Sequence, residues 1–185
     1  MPEILKSFNW LDILFVILLL GMIYKGSRTG VGGQILSLVG WFVLLFISIG
    51  YYRLLSEAIF GFLLQKWAKP VSFFLISVII FTVIKFLERV FNVISDGELA
   101  IIERIGGALV ASLRACLLFG VIGILLLLIP IDYARITVTE KSRTGMFFVD
   151  IDAQIYSWIS DVTGVPAKRT KDELLNEFLA TEKEK

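Results

Sequence analysis

Four long apolar runs, separated by short polar stretches, limit what this chain can fold into more than any other feature. They lie at roughly residues 9–24, 31–51, 70–87 and 106–129. A helix rises about 1.5 Å per residue, so about 20 apolar residues cross a hydrocarbon layer about 30 Å thick. In water such segments would aggregate. In lipid a helix satisfies every backbone hydrogen bond internally, so they are stable there. Composition agrees: 57% of the residues are hydrophobic and the mean hydropathy is +0.82, against roughly 45–50% apolar residues in soluble domains. The expected fold class is an all-α integral membrane protein with four transmembrane helices and a C-terminal amphipathic helical segment. Residues 1–130 form the transmembrane region and residues 131–185 the tail.

Local signals fit these boundaries. Pro70 opens the third run, where a missing N–H is harmless, and Pro130 closes the fourth. Trp10, Tyr24, Tyr51, Tyr52 and Trp67 stand near run ends, where amphipathic rings prefer the interface. Trp41 is mid-run and must pack against a neighbour or lipid. The first run is too long for the apolar core of a signal peptide and no A-x-A-like site follows it, so it is expected to be retained. Past the third run, Leu87, Val90, Phe91 and Ile94 continue a helical stripe until Asp96-Gly97 breaks it.

With four spans both termini share a side. Near the span ends that side carries Lys6, Arg53, Lys66, Lys69, Arg135, Lys141 and Arg143, against Lys25, Arg28, Lys85, Arg89 and Arg104 on the other. The bias favours cytoplasmic termini. A net charge of +1 gives no support to a nucleic-acid surface. The chain has no histidine, which removes the commonest general base and metal ligand, and no other metal-ligand cluster or Ser-x-x-Lys motif. No enzyme activity, cofactor or metal is expected. The single cysteine, Cys116, reads as a small apolar filler.

In the tail, Phe148, Ile151, Ile155, Trp158, Ile159 and Val162 share one helical face. That face is expected to dock on protein, because the basic side typical of anionic-lipid binders is missing. Asp150 and Asp152 fall elsewhere and read as a solvated face. After a break at Gly164 and Pro166, Thr170 and Glu173 fit a capping box, and Leu174, Leu175, Phe178 and Leu179 form a short apolar stripe.

Charge inside the membrane is expensive, roughly 2.5–3.5 kcal/mol for a central arginine on insertion scales. Asp12 and Arg114 are the charged residues well inside runs, whereas Lys85 lies near an end and can snorkel. Asp12 lies within about a turn of the start of the first run. Arg114 lies about eight residues into the fourth, hence about 12 Å deep, and these two runs enter from opposite sides. Their depths then differ by about 10–15 Å, which rules against a direct pair. Better partners for Arg114 are Glu88, a loop carboxylate, or free carbonyls at a helix end. Small residues recur at four-residue spacing: Gly26 and Gly30, Gly33 and Ser37, then Gly107, Ala111 and Ala115. Such faces let helix backbones approach closely in lipid. Basic residues and glycines precede both even-numbered runs, a loose two-plus-two repeat.

At these positions the chain resembles the colicin V production protein family of bacterial inner-membrane proteins. Asp12 lies near the start of the first run, eighteen positions before Gly30. The stretch from Gly30 through Gln34, Leu36, Ser37 and Leu38 to Trp41 is similar to the family pattern R-G-x-x-x-E-x-L-S-L-x-x-W. The stretch Glu103-Arg104-Ile105-Gly106-Gly107 through Ala111 to Arg114-Ala115 is similar to D-R-x-x-G-x-x-x-G-x-x-R-G. Thr29 stands where the family usually has arginine, with Arg28 adjacent; Gln34 replaces glutamate, Glu103 aspartate, and Ala111 and Ala115 glycines. The resemblance covers most of residues 9–130. It makes Asp12, Arg28, Gly30, Gln34, Glu103, Arg104, Gly107 and Arg114 the candidate functional or packing residues. It implies a non-enzymatic inner-membrane protein that supports production or export of a colicin V-type toxin, or envelope homeostasis, through helix packing and contacts with the bilayer, a second copy or another membrane protein. The alternative is a small oligomeric transporter or channel subunit, favoured if Asp12 and Arg114 face a cavity.

Overall fold

The computed structural model describes residues 9–60, 65–92, 101–163 and 169–180. All its regular elements are helical. Helix α1 runs Trp10–Phe60, but its backbone folds at Gly30, where φ is +71°. Only glycine adopts that region without strain from a side chain. The fold divides α1 into two arms, each apolar and long enough to cross a membrane: Trp10–Gly32 and Gln34–Ala58. Helix α2 (Gln65–Asn92) and helix α3 (Ile101–Leu128) supply the other two spans. After Pro130 come a short helix α4 (Asp132–Ile136), a π-helical turn (Thr137–Lys141), helix α5 (Gly145–Thr163) and helix α6 (Lys171–Ala180).

Side-chain contacts give the topology. Along the second arm of α1, Ser37 meets Glu88, Ser48 meets Ser77 at 3.0 Å, and the ring of Tyr52 meets that of Phe73. Rising numbers on α1 meet falling numbers on α2, so the pair is antiparallel. The first arm runs antiparallel to α3: Phe15 lies 4.8 Å from Phe119, while Gly26 faces Gly107 and Ala111. Helix α3 is the hub, in contact with both arms of α1 and with α5. Trp41 is buried and packs edge-on against Phe81.

Several boundaries differ from expectation. Lys25–Gly30, read as the link between the first two spans, is helical up to the Gly30 fold. The helix of the third span starts by Gln65, so Pro70 lies inside it. The breaks read at Asp96-Gly97 and at Gly164 and Pro166 lie outside the described residues.

The outward surfaces of the spans are apolar, for example Ile17, Leu20, Val39, Phe74, Ile79, Phe86 and Leu109. Such residues match a lipid surround, and the polar side chains turn inward. Trp10, Tyr24, Tyr51 and Trp67 are exposed near span ends, as an interfacial position requires. Tyr52 is not. It is fully buried and its hydroxyl donates to Glu177 of α6. Helix α6 covers that end of the second arm, a contact that residue order alone could not reveal.

The tail docks on the bundle, but with a different face from the one its apolar stripe suggested. Phe148, Val149, Asp152, Ala153, Tyr156 and Ser160 of α5 are buried. Trp158 and Val162 are exposed, and Ile151, Ile155 and Ile159 are only half-buried. At 3.6 residues per turn the helix is rotated by about a third of a turn from the expected face. Two glycines of α3 decide this. A Cβ at Gly120 would lie 2.3 Å from Asp152 Oδ2, and one at Gly123 would lie 2.6 Å from Val149 Cγ2. These notches admit Asp152 and Val149, so the Asp side of α5 turns inward. Asp152, read as solvated, is fully buried.

Candidate functional site

Charged and polar side chains gather at the two ends of the bundle. At one end, the second arm of α1, α2 and α3 converge on a buried cluster. Arg114 projects from the α3 face beside Gly107, Ala111 and Ala115, and its side chain is 4% exposed. Its Nη1 donates to Ser37 Oγ and lies 3.8 Å from Glu88 Oε1. Ser37 Oγ in turn donates to Glu88 Oε1. The other oxygen, Glu88 Oε2, accepts from Lys85 Nζ at 2.6 Å. Glu88, one of the three partners left open for Arg114, therefore stands between two cations, one buried and one half-exposed. An arginine removed from water requires this kind of compensation. Gln34 is buried one turn before Ser37, and its Oε1 has no partner among the described residues; nor does Arg114 Nε.

The glycine crossing lies close by in sequence. A Cβ at Gly107 would be 2.4 Å from the Gly26 carbonyl oxygen and 3.0 Å from the Gly30 backbone. The first arm of α1 and α3 thus touch backbone to backbone, the approach that small residues make possible in lipid. Gly26, Gly30 and Gly107 hold α3 in the position from which Arg114 reaches across to Ser37 and Glu88.

Asp12 forms the second cluster, at the opposite end. It is 2% exposed. Its Oδ1 accepts from Ser142 Oγ at 2.7 Å and Thr144 Oγ1 at 2.6 Å. Its Oδ2 accepts from its own helix start, Asn9 N, at 3.2 Å. Ser142 Oγ accepts in turn from Gly145 N at 2.8 Å, and Asn9 Nδ2 donates to the Thr137 carbonyl at 3.3 Å. Asp12 therefore ties the start of the first span to the turn that launches α5. It has no contact with Arg114, as their depths require.

The candidate residues are not one constellation. The structure brings Arg114 into the buried cluster and Gly30 and Gly107 into the crossing, while Gln34 is buried one turn before Ser37 without a contact to the charged groups among the described residues. Arg28 is exposed, with its guanidinium 4.5 Å from the Tyr24 ring centre. Glu103 and Arg104 are exposed on the first turn of α3. Lys85 and Ser37 join the cluster although the sequence reading treated them as a snorkelling end residue and a small-face residue. Around Glu177 a third knot forms: it accepts from Tyr52, lies 3.4 Å from Arg53 Nε and 3.2 Å from Arg169 Nη1. An apolar run gave no hint of it. Among the described residues no group of His, Cys, Asp and Glu is placed to hold a metal ion.

A groove of about 240 Å³ lies between the second arm of α1, α2 and α3, lined by Trp41, Leu44, Phe73, Phe81, Leu118 and Val121 among others. Neither Asp12 nor Arg114 lines it. The family model described as colicin V production protein matches residues 11–153. No curated protein and no solved structure matches the chain.

Proposed function

We propose, since the chain belongs to the colicin V production protein family, that it is a non-enzymatic protein of the bacterial inner membrane that supports production or export of a colicin V-type toxin, or envelope homeostasis. In this reading it acts as a packed scaffold offering its outer helix faces to lipid and to a partner membrane protein or a second copy. One observation carries it: Asp12 and Arg114 spend their charge on fastening the chain's own elements. Asp12 holds Ser142 and Thr144; Arg114 holds Ser37 and faces Glu88. Neither borders the 240 Å³ groove, which weighs against the alternative of an oligomeric transporter subunit. The positive-charge bias supports cytoplasmic termini.

The test is complementation of a strain lacking the protein, scored for released toxin, with the protein also extracted in mild detergent and its co-purifying chains identified. Restored toxin release together with a defined partner or self-assembly is the expected result. A lone monomer, in a strain whose toxin release is unchanged by its loss, would overturn the reading. Uptake of an ion or solute by proteoliposomes of the pure protein would support the transporter instead.

A further inference from the structure

The carboxyl of Asp152 has no role in either fastening cluster, yet it is among the most enclosed polar groups in the molecule. The residue is fully buried, and neither carboxyl oxygen has a hydrogen-bond partner among the described residues. It sits in the notch left by Gly120, where a Cβ would lie 2.3 Å from Oδ2 and 2.7 Å from the Phe148 carbonyl oxygen. Gly120 is eight residues before the end of α3 at Leu128, which places this contact about 12 Å below the helix end.

Among the described residues, the surroundings hold no compensating charge. From α3 the titratable neighbour is Cys116. From the first arm and from α3, Phe15 and Phe119 close around the adjacent Phe148, and from the second arm Phe46 stacks on Tyr156, one turn along α5. Arg169 and Glu177 act on Tyr156. Asp150 turns to Lys171 at 2.7 Å, and Asp12 is engaged at the start of α5. A bare carboxylate without cation or donor is very costly in such a place, and a group so placed neutralises instead. Burial alone pushes the Asp152 carboxyl well above the ordinary carboxylate range.

We propose that Asp152 is a proton-binding site that latches α5 onto the transmembrane bundle: the docked helix carries the neutral carboxyl in the Gly120 notch, and loss of the proton is coupled to release of α5. The balance is one proton bound on docking and one released to solvent on undocking. The sign follows. The docked state holds the proton more tightly than the undocked state, so docking is strongest at low pH. It weakens as pH rises from the ordinary carboxylate value toward that of the docked group, about tenfold in the docking constant per pH unit. This inference stands independently of any part in toxin production.

Cys116, the one cysteine of the chain, is half-buried on α3 beside Asp152 and reports on the latch. The full chain is reconstituted in lipid vesicles and the alkylation rate of Cys116 is followed against pH. Thiolate formation alone gives a slope of about 1 in log rate against pH, and coupled release of α5 raises it toward about 2. The wild type should show the steeper slope and Asp152→Asn, a neutral isostere, the shallower one. Equal slopes would overturn the proposal. Difference infrared spectroscopy of the wild type supplies a second reading that needs no variant to fold. A protonated carboxylic acid band at neutral pH, lost reversibly as the pH is raised together with increased Cys116 reactivity, is expected. A carboxyl already ionised in the docked protein at neutral pH would also sink the idea.

Discussion

Asp12 Oδ1 accepts the Thr144 hydroxyl at 2.6 Å across 132 positions of chain, and this contact sets where the tail helix begins. The same oxygen accepts from Ser142 Oγ, which itself receives the Gly145 N–H at the start of α5. One carboxylate in the first turn of the first span thereby fixes the position of α5 against α3.

Asp12→Asn keeps the shape but removes the charge from these bonds. Hydrogen bonds to charged groups contribute about 1.5–3 kcal/mol each, and Asn retains an acceptor oxygen, so the expected loss is about 2 kcal/mol. Denaturant unfolding in detergent measures it. Hydrogen exchange should quicken first around Ser142–Gly145, while the helix around Arg114 stays protected.

At the other end, the order of effects is diagnostic. Glu88→Leu strands Arg114 in the bundle with Ser37 as its remaining partner, and breaking a buried pair this way typically costs about 3–5 kcal/mol. Arg114→Leu leaves Glu88 still bonded to Lys85 at 2.6 Å and is expected to cost less. The double variant should recover much of the Glu88→Leu loss, a coupling read from a double-mutant cycle. An Arg114→Leu protein that folds, inserts and sustains toxin release would fit a fastening role for this charge; one that folds and inserts but loses toxin release would assign it a functional role.

The glycine crossing predicts a contrast between two similar changes. Gly107→Ala places a Cβ 2.4 Å from the Gly26 carbonyl oxygen. Backbone must move, at an expected cost of about 1–3 kcal/mol. Gly21→Ala meets nothing within 4 Å and, in an exposed helical position, should be neutral or stabilising by up to about 1 kcal/mol. Thermal unfolding of the two variants side by side checks this.

Helix α6 begins with a reciprocal capping box: Thr170 N donates to Glu173 Oε2 at 2.9 Å and Glu173 N to Thr170 Oγ1 at 3.3 Å. Thr170→Ala should cost about 1 kcal/mol. The effect should be confined to faster amide exchange in α6, with Tyr52 becoming more accessible as the Glu177 contact loosens.

The amino-acid sequence by itself determined the features that depend on solvent and on short range. Four apolar runs dictate helices in lipid, because each residue's backbone must be satisfied within its own segment. The capping box, the Gly107/Ala111/Ala115 face and the depth mismatch between Asp12 and Arg114 follow from helix geometry alone. Glu88 was one of three partners that geometry left open for Arg114, and the antiparallel register of α1 and α2 decided among them. Tertiary structure alone decided which side of α5 turns inward. An apolar stripe points to the core only when the alternative is water. Beside a membrane the outer surface is apolar too, so Trp158 and Val162 stay outside without penalty, and the inner face is set by shape. The notches at Gly120 and Gly123 take Asp152 and Val149, and a carboxyl that pattern reading assigned to solvent ends in the interior.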